Sequence, residues 1–220
     1  MRAFALALTL ASIAAAQSGG WRTIPLISSG KIDPAWKQVD WGGFIVDSGA
    51  LRTQPDPRGM GLLVYTKEQF GDSQIRIVYR AEKPRSNSGV FIRIDDGILG
   101  KLGEKTEGVQ READNKLSPA MVDRMKASSE KQIGAWYAVH HGFEVQIDDA
   151  GDAWHRTGSI YSLAQAESLP VRPQSDWRTM IITLEGDRVT VDVDAKTVTK
   201  FVAPGPLVAI QTLTLPVVRA

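Results

Sequence analysis

The chain has 220 residues, with 26 basic residues against 25 acidic ones and no cysteine, so its core must hold without disulfides. The near-zero net charge gives no electrostatic reason to bind nucleic acid or an anionic membrane. The missing cysteine also removes a thiol nucleophile and a lipoprotein anchor.

Met1 and Arg2 precede an apolar run from Ala3 to about Ala14, with small residues at Ala14 and Ala16; this reads as a secretory leader over 1–16. The run is shorter than the roughly 20 residues that a membrane-spanning helix needs. We expect an exported protein, periplasmic or extracellular, with its domain over about 20–220. Trp21 and Trp36 flank the start and read as packing residues that pin an N-terminal arm.

Farther along, "QPDPRG" (54–59) and "FVAPGPL" (201–207) read as loops. Apolar and polar residues alternate over 61–65, 73–80, 89–95, 142–148, 179–185 and 188–194. A period of two repeated that often predicts antiparallel sheet. Gly186-Asp187 is placed to turn the last two segments into a hairpin, and Trp177 to begin the first of them. The expected fold is all-β, an antiparallel two-sheet sandwich. It is interrupted by a polar insertion over about 97–135, in which Ser118 and Pro119 start a short helix. A connection of that length in a domain is either a functional lid or a mobile insertion.

Strand parity separates the candidate site residues from the core. On 142–148, Phe143, Val145 and Ile147 share one face, leaving Glu144, Gln146 and Asp148 on the other. On the segment around 87–95, Val90, Ile92 and Ile94 are the inward set, with Asn87, Gly89, Phe91, Arg93 and Asp95 opposite and Ser88 turned inward. If the two strands share a sheet, a carboxylate row, an arginine and an aromatic ring form one surface that suits a sugar. The bland reading is a wet outer face, which many antiparallel sheets have. His140 and His141 lack metal-ligand spacing; His141, where the strand begins, is a substrate-binding candidate, and His155 reads as an exposed loop histidine. No serine sits in a G-x-S-x-G turn and no phosphate-binding glycine loop is present, so carboxylate acid–base chemistry is what remains for an enzyme.

Taken in order, "VYR…SNSGVFIRI", "HGFEVQIDD", "HRTGSIY" and "SDWRTMIITLEGDRVTVDV" resemble the 3-keto-disaccharide hydrolase family over about Trp36 to Phe201. The resemblance implies a concanavalin-like jelly-roll and a carbohydrate site on Arg80, Asn87, Ser88, Arg93, Glu144, Gln146, Asp148 and Tyr161. The chain departs from the family pattern at Arg178, where an asparagine is usual, and at Asp194-Ala195, where an asparagine-glycine turn is usual. It keeps Gln211 in the last segment but lacks the histidine-glycine pair that follows.

A ketone at C3 of a glycoside acidifies the hydrogen at C2, so the implied reaction is proton abstraction, expulsion of the C1 substituent and hydration. On that reading Glu144 is the base, Arg93 stabilises the enolate, Asp148 or Tyr161 protonates the leaving oxygen, and Asn87 and Gln146 orient hydroxyls. No cofactor is required; a divalent cation held by carboxylates is the alternative to Arg93. The partner is an oligosaccharide or glycoside, with no nucleic acid and no membrane span. A non-catalytic carbohydrate-binding module and an ordinary glycosidase are the competing readings.

Overall fold

The computed structural model describes residues 20–81, 86–114, 116–170, 173 and 176–203, and the backbone of 217–219. The leader over 1–16, Gln211 and most of the 201–207 loop lie outside the described residues. In chain order the strands are β1 (Ile27–Ser28), β2 (Lys31–Ile32), β3 (Trp36–Asp40), β4 (Gly43–Asp47), β5 (Ala50–Gln54), β6 (Gly61–Tyr65), β7 (Ser73–Tyr79) and β8 (Ser88–Ile92). A 3₁₀ turn (Asp96–Lys101) and two helices, α1 (Pro119–Glu130) and α2 (Trp136–His141), follow. Then come β9 (Phe143–Ile147), β10 (Arg178–Glu185), β11 (Arg188–Val193), β12 (Lys196–Val202) and β13 (Val217–Arg219).

The strands form an antiparallel jelly-roll sandwich, as expected. One sheet has the order β3-β6-β13-β8-β9 and the other β12-β11-β10-β7, with small hairpins β1-β2 and β4-β5 beside them. Parity decides what lies between the sheets. Val90, Ile92, Val145 and Ile147 meet Met180, Ile182, Leu184, Val189, Val191 and Val193 in one apolar cluster. On β10 every second residue is buried, which is the alternation read from 179–185. Gly186 takes a positive φ in the β10–β11 turn, where Glu185 faces Arg188. Trp36 is buried in β3 and donates its indole N–H to the Pro25 carbonyl at 2.9 Å, tying down the arm. Trp21 instead lies against the Arg76 guanidinium, and Trp177 immediately precedes β10.

The insertion is packed, not loose. Ser118 caps α1, its Oγ accepting from the Met121 N–H at 3.2 Å, with Pro119 at the first helical position. The 3₁₀ turn and α2 lie on the outer face of the five-stranded sheet, where Ile94, Ile98, Ala135 and Ala138 form a second core with Val39, Leu62, Val64 and Phe91. This explains why β6, read as half-buried, is buried at all five residues. Its second face is roofed by chain that local periodicity says nothing about. Asp40, itself buried at φ 64°, ties the roof down. Its Oδ1 accepts from the Thr106 N–H at 2.9 Å and hydroxyl at 3.0 Å, and its Oδ2 accepts from the Ala135 N–H at 3.1 Å. Gly134 has no room for a Cβ, because one would strike that same carboxylate.

Two corrections concern register. β8 ends at Ile92, because Arg93 takes a left-handed φ of 57° that breaks the alternation; Ile94 therefore packs under the roof rather than between the sheets. His140 and His141 are the last residues of α2, not the beginning of a strand.

Two predictions follow from this packing. Asp194 and Ala195 form the two-residue β11–β12 turn with φ of 51° and 64°. Left-handed backbone costs an L residue about 1–2 kcal/mol, so Ala195→Gly should raise stability by about 1 kcal/mol, seen as a Tm higher by roughly 2–4 °C. Asp40→Ala orphans buried N–H donors of Thr106 and Ala135 and should cost about 3 kcal/mol, with limited proteolysis cutting first within the insertion.

Candidate functional site

Roof and sheet do not close completely: between them lies a cavity of about 550 Å³. Its sheet side is Phe91, Phe143 and Glu144; Arg58 enters from the loop after β5; Thr106, Glu107 and Trp136 come from the insertion; Tyr161, Ser162 and Leu163 come from the loop after β9.

Glu144 reaches this position because β8 and β9 pair with Phe91 opposite Glu144 and Gly89 opposite Gln146. The missing side chain at Gly89 leaves the space that the Glu144 carboxylate fills; a Cβ there would run into it. Glu144 is 8% exposed, so its charge sits largely out of water at the wall of the cavity. Gln146, next along the same face, is fully buried, and neither its amide oxygen nor its nitrogen has a hydrogen-bond partner among the described residues. An uncommitted buried amide costs about 1–3 kcal/mol.

The segment after β9 continues the sheet by backbone bonds. The Gln146 N–H donates to the Ser159 carbonyl at 3.0 Å and the Tyr161 N–H donates to the Glu144 carbonyl at 2.9 Å. That brings the Tyr161 side chain to the cavity wall. On the opposite side, the Arg58 guanidinium lies 4.0 Å from the Trp41 ring and donates to Asp56 at 2.9 and 2.7 Å. Those side-chain bonds, with the Arg58 backbone N–H, hold the Asp56 carboxyl down at about 2. Trp41 is fixed in turn by its indole bond to the Thr106 carbonyl at 3.0 Å. Arg58 is the only cation among the described residues that line the cavity.

Of the residues expected from sequence, the structure brings Glu144 and Tyr161 together and leaves the others elsewhere. Arg93 is 2% exposed and turns toward the other sheet, donating to Asp72 at 3.1 Å and to the Gly186 carbonyl of the β10–β11 turn at 2.7 Å. The Gly186 N–H and Arg93 together lower the Asp72 carboxyl. Arg93 is therefore sealed against the other sheet and does not line the cavity that Glu144 lines, and the expected pairing of acid and guanidinium across a sugar is corrected. Arg80 follows β7 in the other sheet, 5.0 Å from the Trp177 ring. Asp148 lies just beyond β9, where it accepts from the Asn87 amide at 3.2 Å and does not line the cavity. Ser88 pairs with Ile147 on the parity of Val90.

His141 belongs to the roof's anchorage. Its ring stacks 4.0 Å from Tyr137, with Nδ1 3.3 Å from Asp95 and Nε2 2.7 Å from Gln132. Burial and its hydrogen bond to Asp95 push the Tyr137 phenol up. Among the described residues no three His, Asp or Glu side chains converge as metal ligands.

Sequence reasoning missed Arg58, Asp40 and Trp136. The first stood in a segment set aside as a loop, and the second at the end of a strand that was not recognised. Trp136 begins the helix that closes the roof. No local pattern links the three.

The model of the 3-keto-alpha-glucoside-1,2-lyase-like domain matches residues 23–211. The chain belongs to this family. Membership gives it a glycoside-cleaving or carbohydrate-binding role, with sugars as ligands. A search of curated proteins returned no match. Among solved structures, the chain is similar to a protein provisionally named a glycosyl hydrolase from Parabacteroides distasonis ATCC 8503, with a TM-score of 0.51 and 15% identity over 84% of this chain and 89% of that one. It is also similar to the carbohydrate-binding module CBM66 from Bacillus subtilis, with a TM-score of 0.49 and 11% identity over 88% and 91%. The first of these shows the fold. No helix among the described residues is long and apolar enough to cross a membrane.

The Gly89 gap is directly testable. Gly89→Ala should keep the fold, because the residue that must yield is a flexible side chain, yet displace the Glu144 carboxylate. With Glu144 as the base proposed below, turnover should fall by roughly 100-fold with an unchanged Tm, since a small misplacement of a catalytic group costs about that much.

Proposed function

We propose that this protein cleaves 3-keto-glucosides by elimination across C1 and C2 followed by hydration, with Glu144 as the base. The observation that carries this reading is a carboxylate held nearly dry at the wall of a sugar-sized cavity in a member of a 1,2-lyase-like family.

The C3 ketone lets Glu144 remove the C2 proton, whose electron pair becomes an enolate with its negative charge on the C3 oxygen. Collapse of the enolate expels the C1 oxygen and leaves an enone. Water then adds at C1, and Glu144 returns its proton to C2, giving the free 3-keto sugar and the alcohol. The enolate needs an electrophile, and Arg58 supplies it in place of Arg93, because among the described residues it is the cation on the cavity wall. Gln146, buried next along the face from Glu144 with its amide uncommitted, is suited to orient the base. The leaving group lies toward Tyr161, whose ring offers it a flat wall, and takes its proton from that side. No oxocarbenium ion forms, so the two spaced carboxylates of ordinary glycosidases are not needed.

Glu144→Gln keeps the shape of the base and removes its basicity. With a 3-keto-glucoside, turnover should fall at least about 100-fold while binding by calorimetry persists. Unchanged turnover removes Glu144 from the mechanism. Product analysis of the wild type separates the classes: a binding module releases nothing, and an ordinary glycosidase cleaves the unoxidised parent.

A further inference from the structure

The loop after β9 carries a chain of three side chains that the reaction above leaves unassigned. The His155 Nδ1 lies 2.8 Å from the Asp152 carboxylate, and its Nε2 lies 3.0 Å from the Ser162 Oγ. Ser162 lines the same cavity as Glu144. The three are held in place by the backbone. The Ser162 N–H donates to the Trp154 carbonyl at 3.2 Å, the Ala166 N–H donates to the Ala153 carbonyl at 2.9 Å, and the Trp154 N–H donates to the Asp152 Oδ1 at 2.9 Å. Ser162 is also kept at a φ of 57°, which a non-glycine residue adopts only when its surroundings impose it. The His155 ring, finally, packs 4.7 Å from that of Tyr161, on the wall where the leaving group is placed.

A serine, a histidine and an aspartate so connected suggest acyl transfer, but the surroundings argue against it. An acyl-transfer site needs N–H donors free to hold an oxyanion. Here the N–H groups of Leu163 and Ala164, which follow the serine, both donate to the Ile160 carbonyl, at 2.8 and 2.9 Å. Moving protons is the chemistry that this connectivity leaves, and it needs no oxyanion hole.

Resting on the elimination reading above, we infer that Asp152, His155 and Ser162 form the proton relay that serves the leaving oxygen and then the attacking water. The Asp152 carboxylate keeps the proton on Nδ1. In the elimination, the Ser162 hydroxyl gives its proton to the departing C1 oxygen and takes one from the imidazolium Nε2. In the hydration, water adding at C1 releases a proton through Ser162 back to Nε2, while Glu144 reprotonates C2. Each group ends the cycle in the state in which it began. Ser162 is the catalytic residue of the three; His155 and Asp152 act through it. Imidazole suits the task because the same ring nitrogen can give a proton in one step and take it back in the next.

The test uses two 3-keto-α-glucosides, one with a methoxy leaving group that must be protonated and one with a 4-nitrophenoxy group that departs as the anion. In His155→Gln and in Ser162→Ala, kcat/KM for the methyl substrate should fall by roughly 100-fold or more, and for the nitrophenyl substrate by less than about a tenth of that factor. Glu144→Gln should abolish cleavage of both. Equal losses on the two substrates, or no loss on either, overturn the relay while the base assignment stands. Failure of the wild type to cleave either substrate overturns the elimination reading and the relay with it.

Discussion

The site depends on one buried carboxylate. Asp40 sits at the end of β3 and gathers hydrogen bonds from two points of the insertion that are far apart in sequence, Thr106 and Ala135. A buried carboxylate is tolerable only where its lone pairs are used, and here the roof's own backbone uses them. That clamp presses the 3₁₀ turn and α2 onto the outer face of the five-stranded sheet, which turns a face that would otherwise be wet into the wall of a cavity.

Around that cavity, small backbone features decide which side chains reach its wall. The bare Cα of Gly89 makes space for Glu144 to lie across the sheet instead of projecting into solvent. The left-handed turn at Arg93 sends a guanidinium away to Asp72 and the β10–β11 turn, where it fastens one end of the sandwich. Among the described residues the cation that lines the cavity with Glu144 is Arg58, held by Asp56 and by the Trp41 ring. Two arginines thus have distinct duties, one structural and one at the cavity, and their positions along the strands did not reveal which was which.

The loop after β9 joins this frame through ordinary sheet bonding. Because the Tyr161 N–H continues the ladder from Glu144, the aromatic wall and the Asp152–His155–Ser162 chain are fixed relative to the carboxylate by backbone hydrogen bonds, the most dependable kind. His155 looked like an ordinary loop histidine when read as sequence. Its neighbours seven residues on and three residues back become partners only once the loop turns back on itself.

Alternation of apolar residues was enough to predict the sandwich, the inward faces of β8 and β9, the β10–β11 hairpin and, through Ser118 and Pro119, the start of α1. These are consequences of nearest-neighbour geometry: side chains one apart on a strand must point to opposite faces, and a serine before a proline offers the cap a helix needs. Residues 97–135 carried no period, and so their roofing of the sheet was invisible, as was the double burial of β6. The same holds for the meeting of Arg58, Glu144, Tyr161 and Ser162 in one cavity. Which face a residue occupies is set locally, but what covers that face is set by contacts between segments tens of residues apart, and only the folded chain decides them.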